Sequence, residues 1–358
     1  MLDRRDFLKT SGAGMLGMAT LAVGGSSLLA ACSSSGKSGS SSSSSGSTGG
    51  KSTPTSSAKL QLSWVYDAEF AGYYIADTLG YYPNNHLKMS MSPGGPNVTP
   101  EQVVVSGRAM FGLDGADYIT SARNKGGSLV IIGAQFQKNP LGVLSLKKAN
   151  ITKPGDLVGK KLGVPSGQYD QIKSFLKINS VNPSDVTFVS YGTDPTPLAN
   201  GSIDAAIAFT TTDPFLLQEK GYDTATFTLA DFGYNIYNDC VFVTEDTLKN
   251  HRSELVDFMR ASILGWQYNI ANPSYVLPLI TNKYGKPLGL STNSQKFQNA
   301  AQIPLMQSAA TKANGLFWMS DADIAVNLET ITKAGIKADK AIFDTSILAE
   351  VYHGANHI

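Results

Sequence analysis

The fold class of this chain is decided by residues 60–80, which read LQLSWVYDAEFAGYYIADTLG. Apolar and polar residues alternate over 60–64, and this two-residue period is typical of a strand. Over 68–79 the apolar residues recur at helical spacing, and Gly80 stands at the position of a helix cap. The stretch therefore predicts a strand that ends at Trp64 and a helix that follows it.

The alternation of strand and helix continues through most of the chain, which implies parallel sheets with right-handed crossovers. Two such runs and a mostly helical end predict an α/β protein with two lobes, lobe 1 over 58–145 plus 236–358 and lobe 2 over 146–235. The further predicted strands are 87–91, 109–113, 129–133, 143–146, 161–164, 186–189, 205–209 and 240–243. The further predicted helices are 100–106, 116–124, 168–179, 213–219, 254–271, 295–312 and 321–334.

Composition narrows the possible functions. The 358 residues include 29 basic and 28 acidic ones, and this balance lacks the basic field that nucleic-acid binding requires. A hydrophobic content of 42% is ordinary for a globular protein and argues against a multi-span membrane protein. Two cysteines cannot form a disulfide scaffold, and the four histidines do not cluster, so we expect no metal site and no cofactor.

The first residues have the organisation of an export signal. The segment DRRDFLK at 3–9 resembles the twin-arginine signal of Tat export, and a weakly apolar stretch follows it. That stretch ends in LAAC at 29–32, which resembles the lipobox of bacterial lipoproteins and fits a transmembrane helix less well. We therefore predict a Tat-type lipoprotein signal peptide over 1–31, lipidation of Cys32, and a flexible Ser/Gly linker in the segment 32–57.

Removal of the leader changes the charge balance of the chain. The leader holds three basic and two acidic residues, so the mature chain has 26 of each and is formally neutral. Cys240 is then the only cysteine besides the lipidated one, and no intramolecular disulfide can form. We expect the folded body to be stabilised by core burial and tethered to the outer face of the cell membrane.

The loops after the predicted strands are rich in aromatic, amide and hydroxyl side chains. Ligands of open α/β sheets bind beyond the carboxyl ends of the strands, so these loops form the predicted binding site. Aromatic faces beside polar groups suit a flat, polar ligand. These loops contain no arginine, which argues against a strongly anionic ligand. The backbone amides of 166–168 could nevertheless bind an anion. The candidate ligand-binding residues are Trp64, Glu69, Phe70, Tyr73, Gly94, Gly95, Asn97, Asp114, Gln135, Phe136, Ser166, Gly167, Tyr169, Thr210, Asp213, Tyr234 and Asn235.

Many of these candidates also have a purely structural explanation. Trp64 either stacks on a ligand or packs in the core, and Glu69 either bonds ligand N–H groups or complements a helix dipole. A tight turn would explain Gly94 and Gly95, and hinge packing would explain Gln135 and Phe136. Helix capping would explain Ser166, Gly167, Tyr169, Thr210 and Asp213. Tyr234 and Asn235 lie near the predicted return crossing between the lobes and could be structural there.

Several ordered motifs resemble those of one known family. They are Trp64, EFAGYYIA at 69–76, GYY at 80–82, PGG at 93–95, VSG at 105–107, QFQ at 135–137, KPGDLVGKKLGV at 153–164 and NGSIDA at 200–205. Together they resemble the solute-binding lipoproteins of ABC importers in the thiamine-pyrimidine, riboflavin, nitrate, sulfonate and taurine group. The resemblance extends over about 58–270 and is looser in the helical tail.

The resemblance implies a two-lobed periplasmic-binding-protein fold of type II, which closes on a small-molecule solute and docks on an ABC permease with its ATPase. The expected protein is exported, anchored to the membrane through the lipid on Cys32, monomeric, and without a nucleic-acid partner. Its expected solute is a flat heteroaromatic vitamin or precursor, either riboflavin or a thiamine pyrimidine precursor. A binding protein for nitrate, taurine or aliphatic sulfonate is the alternative.

Two departures from the family pattern bear on catalysis. The pyrimidine binders and the related pyrimidine synthases carry a histidine shortly after the first-strand tryptophan, whereas the matching stretch here, 69–72, has none. The synthases also carry a cysteine cluster in the second lobe, whereas Cys240 is the only cysteine of this chain besides Cys32. We therefore expect no catalytic residues, and an extracellular enzyme such as a pyrimidine precursor synthase is the weaker hypothesis. The missing histidine also shifts weight from a simple pyrimidine towards a larger ring such as riboflavin.

Overall fold

The computed structural model describes residues 55–358 except Pro96 and Thr193, and it does not describe the side chain of Ser166. The predicted signal peptide, Cys32 and the linker up to residue 54 lie outside the described residues. Within the described part, no helix has the length and apolar character needed to cross a membrane.

Two mixed sheets organise the described part of the chain, and their strands alternate with helices over most of its length. This arrangement confirms the predicted α/β class. Ten strands are formed by the described residues, namely β1 (Ser56–Gln61), β2 (Leu87–Ser92), β3 (Phe111–Asp114), β4 (Leu129–Phe136), β5 (Leu141–Leu146), β6 (Lys161–Val164), β7 (Thr187–Ser190), β8 (Ala205–Phe209), β9 (Thr224–Thr228) and β10 (Asn238–Thr244).

Helices cover both sheets, and the segment after β10 is helical, as predicted. Within residues 55–358 the α-helices are α1 (Ala71–Thr78), α2 (Tyr81–Asn84), α3 (Pro100–Val105), α4 (Ala116–Asn124), α5 (Tyr169–Ile178), α6 (Thr196–Ala199), α7 (Asp213–Gln218), α8 (Glu245–Asn250), α9 (Arg252–Ala271), α10 (Leu277–Leu279), α11 (Thr292–Gln302), α12 (Ala309–Asn314), α13 (Asp321–Lys333) and α14 (Ser346–Tyr352).

The two sheets share one topology. The strand order is β2-β1-β3-β10-β4 in the first sheet and β7-β6-β8-β5-β9 in the second. In each sheet the first three strands in this order are parallel, and the fourth, β10 or β5, is antiparallel to both of its neighbours. The chain enters β5 directly after leaving the first sheet, and it enters β10 directly after leaving the second. Both sheets are therefore mixed, whereas the sequence analysis expected parallel sheets.

The chain passes between the sheets after β4 and again after β9. Because β5 pairs with β8 and β9, the first passage lies between Phe136 and Leu141. This passage lies a few residues before the boundary predicted after residue 145. Leu141–Leu146 is buried along its whole length. Such a continuous apolar run predicts a buried strand, but it does not indicate which of the two sheets the strand joins.

Two predicted elements have other bounds in the structure, and one strand was not predicted. β1 ends at Gln61, so Trp64 lies in the following loop and not in a strand. The predicted helix over 295–312 is broken, because Pro304 lacks the N–H that a continuous helix needs, and a short 3₁₀ turn separates α11 from α12. β9 was not predicted from the sequence, since its residues, TATFT, are partly exposed and form no apolar run.

The first sheet is fixed against two helices that approach unusually closely. α1 crosses α9 at Gly72 and Gly265, where a Cβ added to Gly265 would lie 2.0 Å from the carbonyl oxygen of Gly72. A Cβ on Gly72 would meet the ring of the fully buried Trp266 at 2.3 Å. Glycine at both positions therefore lets the backbones of α1 and α9 approach this closely.

Candidate functional site

The candidate site lies at the edge of the first sheet where its parallel strands end. Ser63 follows β1 at this edge. β10 runs antiparallel, and its first residue, Asn238, pairs with Phe136, the last residue of β4. The next residue of β10, Asp239, therefore lies at the same edge, which is where ligands bind in open α/β sheets.

A hydrogen-bonded network of polar side chains is buried at this edge. The Ser63 hydroxyl lies 2.7 Å from Oδ1 of Asp239 and 3.2 Å from Oε1 of Glu69, and it can donate to either. Nε2 of Gln135 donates to Oδ2 of Asp239 at 3.2 Å and to the Glu69 carbonyl at 2.9 Å. The loop after β1, the end of β4 and the start of β10 are thus joined through these four residues.

A third carboxylate, Asp67, lies next to this network. Its Oδ1 accepts from the Glu69 amide at 2.9 Å, which caps the short helix that leads into α1. Its Oδ2 accepts from Nε2 of Gln298 at 3.0 Å, and Nε2 of Gln302 donates to the Ala68 carbonyl at 2.5 Å. Side chains of α11 therefore hold the loop that contains Asp67 and Glu69.

Burial dominates the electrostatics of these acids. It raises the pKa of Asp67 to about 6 and that of Asp239 to about 7. Burial, together with the charges of Asp239 and Asp67, raises the pKa of Glu69 well above its ordinary value. Burial therefore favours the protonated form of each acid relative to the same acid in water.

The second lobe places another acid opposite this cluster. Asp213 begins α7, and its Oδ2 accepts from the Phe209 amide at 3.1 Å. Burial and, to a smaller extent, the charge of Asp67 in the first lobe raise the pKa of Asp213 to about 6. Thr210 donates to the Pro140 carbonyl at 3.0 Å, so the end of β8 is tied to the first passage between the sheets. Asp67 and Asp213 therefore interact from opposite lobes.

Direct contacts hold the two lobes together on either side of the acids. Phe215 of α7 stacks on Phe297 of α11, with 4.7 Å between the ring centroids. Nε2 of Gln171 in α5 donates to Oδ2 of Asp117 in α4 at 2.8 Å, and Tyr118 donates to Oε1 of Gln171 at 3.1 Å. The lobes are thus in contact in this conformation.

The loop after β2 packs directly on the loop after β1. The Gly94 amide donates to the Trp64 carbonyl at 2.7 Å. A Cβ on Gly94 would lie 2.4 Å from the carbonyl oxygens of both Leu62 and Ser63, and Gly95 has a φ of 141° that favours glycine. Gly94 is therefore needed for the close approach of the two loops, and Gly95 for the backbone conformation that follows it. Trp64 itself is half-buried beside the first core.

Three predicted residues lie in the core and not at the surface of the cleft. Phe70, Tyr73 and Phe136 are fully or almost fully buried, and the Tyr73 ring stacks on Phe258 with 6.2 Å between centroids. Their apolar character reflects packing beneath the site.

Four predicted residues are placed on loops or at the start of a helix. Asn97, Gly167 and Asn235 are exposed. Tyr169 begins α5 and packs edge-on against Phe188, with 5.6 Å between centroids. The structure does not bring these four residues into contact with the buried acids, and the side chain of Ser166 lies outside the described part.

Asp114 and Tyr234 belong to a second buried acidic group. Oδ1 of Asp114 accepts from the Gly115 amide at 2.7 Å, and burial together with the charge of Glu101 raises its pKa well above the ordinary value. Tyr234 donates to Oδ2 of Asp117 at 3.0 Å. The Tyr234 hydrogen bond thus ties the segment after β9 to α4, whereas the Asp114 contact lies within the loop after β3.

Sequence reasoning missed Ser63, Asp67, Asp239 and Gln298. The predicted site residues lie mostly in loops after predicted strands, as parallel pairing implies; Asp67 lies in such a loop but was not among them. Asp239 begins an antiparallel strand, so its amino end, not its carboxyl end, reaches the site. The polar pair Asn238-Asp239 directly before an apolar run was the available signal. Gln298 comes from a distant helix and has no local signal.

The described residues contain no group of three or more His, Cys, Asp or Glu side chains arranged to hold a metal ion. The chemistry at this edge is that of carboxyl, amide and hydroxyl groups.

Comparison with known proteins places this geometry in context. A family model described as NMT1/THI5 like matches residues 67–275. The chain is 22% identical over 318 residues to the riboflavin-binding protein RibY of Chloroflexus aurantiacus, covering 86% of this chain and 89% of that protein. It is 24% identical over 235 residues to the formylaminopyrimidine-binding protein of Halalkalibacterium halodurans, covering 63% and 71%, respectively. Other relatives are named as 4-amino-5-hydroxymethyl-2-methylpyrimidine phosphate synthases.

Solved structures establish the fold. A Candida albicans protein described as having the generic periplasmic binding protein fold aligns with a TM-score of 0.56 and 14% identity, covering 84% of this chain and 95% of that one. Further neighbours of similar TM-score are named as sulfonate-binding proteins. The predicted periplasmic-binding-protein fold is therefore confirmed.

Proposed function

Because the chain belongs to the NMT1/THI5-like family, we propose that it is the extracytoplasmic solute-binding component of an ABC importer. It captures a flat heteroaromatic vitamin or precursor, riboflavin or a thiamine pyrimidine precursor, between its two lobes and presents it to a permease and its ATPase. The names of the two relatives described above support this solute class.

One observation carries the proposal. Polar side chains from the first lobe, Ser63, Glu69 and Asp239, meet at a strand edge, and Asp213 of the second lobe interacts electrostatically with their neighbour Asp67. A solute bound between such groups is contacted from both lobes, which is the geometry that lets binding stabilise a closed form.

Catalysis is the less supported function. Cys240 is fully buried, and burial raises the pKa of its thiol well above the ordinary value, so it is a poor nucleophile. The acids at the site hydrogen-bond to Ser63 and to amides, and within the described residues none of these hydrogen bonds joins a carboxylate at this edge to a histidine that could accept a proton.

Export and lipid anchoring at Cys32 complete the proposal. The arginine pair at 4–5, the LAAC motif at 29–32 and the Ser/Gly linker after it support attachment to the outer face of the cell membrane.

A thermal-shift screen tests the solute class. We expect riboflavin or an aminopyrimidine to raise the melting temperature, since a ligand at 100 times its Kd adds about 2.7 kcal/mol to the free energy of unfolding. Taurine, an aliphatic sulfonate and nitrate are the comparison solutes. Stabilisation by these anions alone would overturn the heteroaromatic assignment, and turnover of a bound solute would overturn the binding function.

Replacement of Trp64 by alanine tests the aromatic wall of the site. If the half-buried ring stacks on the solute, Trp64→Ala will weaken binding by about 2 kcal/mol, or roughly 30-fold in Kd. Isothermal titration measures this change. Tyr222→Ala, which removes an exposed ring on another surface, is the control and should leave Kd unchanged. An unaltered Kd for Trp64→Ala would remove this residue from the site.

A further inference from the structure

A groove lies at the amino ends of the parallel strands of the first sheet, at the edge opposite the candidate site. β1, β2 and β3 begin there, and the antiparallel β10 ends there at Thr244. The volume of the groove is about 710 Å³, within the range of about 300–1,000 Å³ that is common for small-molecule sites. The six residues of β1, about 20 Å in length, separate the groove from the edge that carries Ser63. The groove is therefore distinct from the cleft between the lobes.

The floor of the groove is a part of the sheet in which serine alternates with lysine. Ser57 pairs with Lys88, and Lys59 pairs with Ser90, across the parallel strands β1 and β2. Residues two apart in a strand face the same side, so these four side chains share one face of the sheet. Ala58, which lies between Ser57 and Lys59, packs in the first core on the other side. The face towards the groove is thus polar and basic.

The wall of the groove adds a third cation and an exposed apolar side chain. α3 ends at Val105, which is 50% exposed, and Arg108 follows it. Nε of Arg108 donates to the Ser106 hydroxyl at 3.0 Å. Within the described residues, no ion pair includes Lys59, Lys88 or Arg108. These three charges therefore remain available to an anion from outside the protein.

One acid, Asp246 of α8, is the only carboxylate among the described residues that line the groove. Its Oδ1 accepts from Nδ2 of Asn250 at 2.8 Å. His251 also lines the groove and lies 3.4 Å from Glu254, so this acid would balance the charge of a protonated histidine. The groove thus carries an excess of positive charge, which favours an anionic partner.

The folded body of the chain begins beside this groove. Ser56, the first residue of β1, precedes Ser57 of the groove floor. The Ser/Gly composition and the length of the predicted linker correspond to a mean span of about 25–30 Å. A lipid on Cys32 would therefore keep the groove within about this distance of a membrane surface. Such tethering gives a high effective concentration of phospholipid, so even a weak attraction is sufficient for binding.

We propose that this groove binds the headgroups of anionic phospholipids, so that the amino edge of the first sheet rests on the membrane. Its three cations attract the lipid phosphates, the serine hydroxyls of the floor donate to phosphate oxygens, and Val105 enters the apolar boundary below the headgroups. The candidate site, at the opposite edge of the sheet, is then held away from the membrane and open to solute. This inference rests on the proposed lipid anchoring, which keeps the membrane within reach.

Vesicle sedimentation tests this inference. The protein is the mature chain with Cys32→Ser, which cannot carry the lipid, at millimolar concentrations of phospholipid. We expect it to sediment with vesicles of equal parts phosphatidylglycerol and phosphatidylcholine, but not with phosphatidylcholine alone. Lys59→Gln combined with Lys88→Gln should lower the partition into the mixed vesicles about 25-fold, since each cation near an anionic surface contributes about a factor of five.

Lys177→Gln combined with Lys220→Gln is the matched control. Both lysines are exposed on the second lobe, and within the described residues neither belongs to an ion pair. Their replacement changes the net charge by the same amount. We expect it to leave the partition within about twofold of the original, because salt screens charges that lie more than about 10 Å from the bound headgroups.

The outcomes distinguish this inference from the proposed function. Equal sedimentation with both kinds of vesicle, sedimentation with neither, or equal weakening by the two double variants would overturn the inference. A rise in melting temperature with inorganic phosphate but no binding to vesicles would also overturn it and would assign the groove to a free anion. Each of these results leaves the thermal shift produced by the solute unchanged. Intact vesicle binding together with no stabilisation by any solute of the thermal-shift screen would instead overturn the solute-binding function alone.

Discussion

Gly265→Ala is expected to lower the free energy of unfolding by about 3 kcal/mol, at the upper end of the cost of overpacking a core. Helix propensity predicts the opposite, since alanine in a helix interior is favoured over glycine by about 1 kcal/mol. Steric contact decides the sign, because the new Cβ would lie 2.0 Å from the carbonyl oxygen of Gly72, and this backbone atom cannot rotate away. Urea unfolding measures the difference.

Gly155→Ala is the control for this prediction. Gly155 is exposed, and a Cβ added there would have no atom within 4 Å. Its free energy of unfolding should change by less than about 0.5 kcal/mol. A stabilised Gly265→Ala protein would show that α1 and α9 can move apart, and the description of their contact would then be wrong.

Acidification from pH 8 to pH 5 is expected to stabilise the ligand-free protein by on the order of 3 kcal/mol. The folded pKa values of Asp67, Asp213 and Asp239, about 6, 6 and 7, lie above the ordinary aspartate value of about 4. The folded state therefore binds protons more tightly than the unfolded state. Its stability is greatest below the unfolded pKa and is lost as the pH rises through the folded pKa values.

Urea unfolding at pH 5, 6, 7 and 8 measures this dependence. Asp239→Asn should reduce the slope, because it removes the group with the highest of the three folded pKa values. Acids whose pKa is lowered, such as Asp156 and Asp231, change protonation below this range and do not affect the slope. A free energy of unfolding that increases between pH 5 and pH 8 would show that burial does not raise the pKa of these carboxyl groups.

Local sequence patterns were sufficient for most of the fold. The period-two and helical patterns located the regions of nine strands, and α4 and β6 have the predicted bounds. The edge strand β9 was not predicted, because a partly exposed strand rich in threonine lacks the apolar pattern of a buried one. The order of strands within each sheet, and the place of β5, depend on contacts between distant residues, which no local pattern contains.

The candidate site was predictable only in part. Glu69 and Gln135 were chosen because they lie near the ends of predicted elements, and both belong to the buried network. Phe70 and Tyr73 were chosen for their aromatic character, but helical spacing places such residues in the core as readily as at a ligand. The placement of Asp239 at the site depends on the antiparallel direction of β10, which the sequence alone does not indicate.

The pairing of Phe136 with Asn238 has a consequence for the architecture of the chain. These residues end β4 and begin β10, which are antiparallel neighbours, and a direct turn between them would make an ordinary β-hairpin. The entire second sheet is inserted into that hairpin, over residues 137–237. Since the entropy of closing a loop grows only slowly with its length, the hairpin can accommodate such an insertion. The second lobe is thus an insertion into the first, and the five strands of the first sheet would be complete without it.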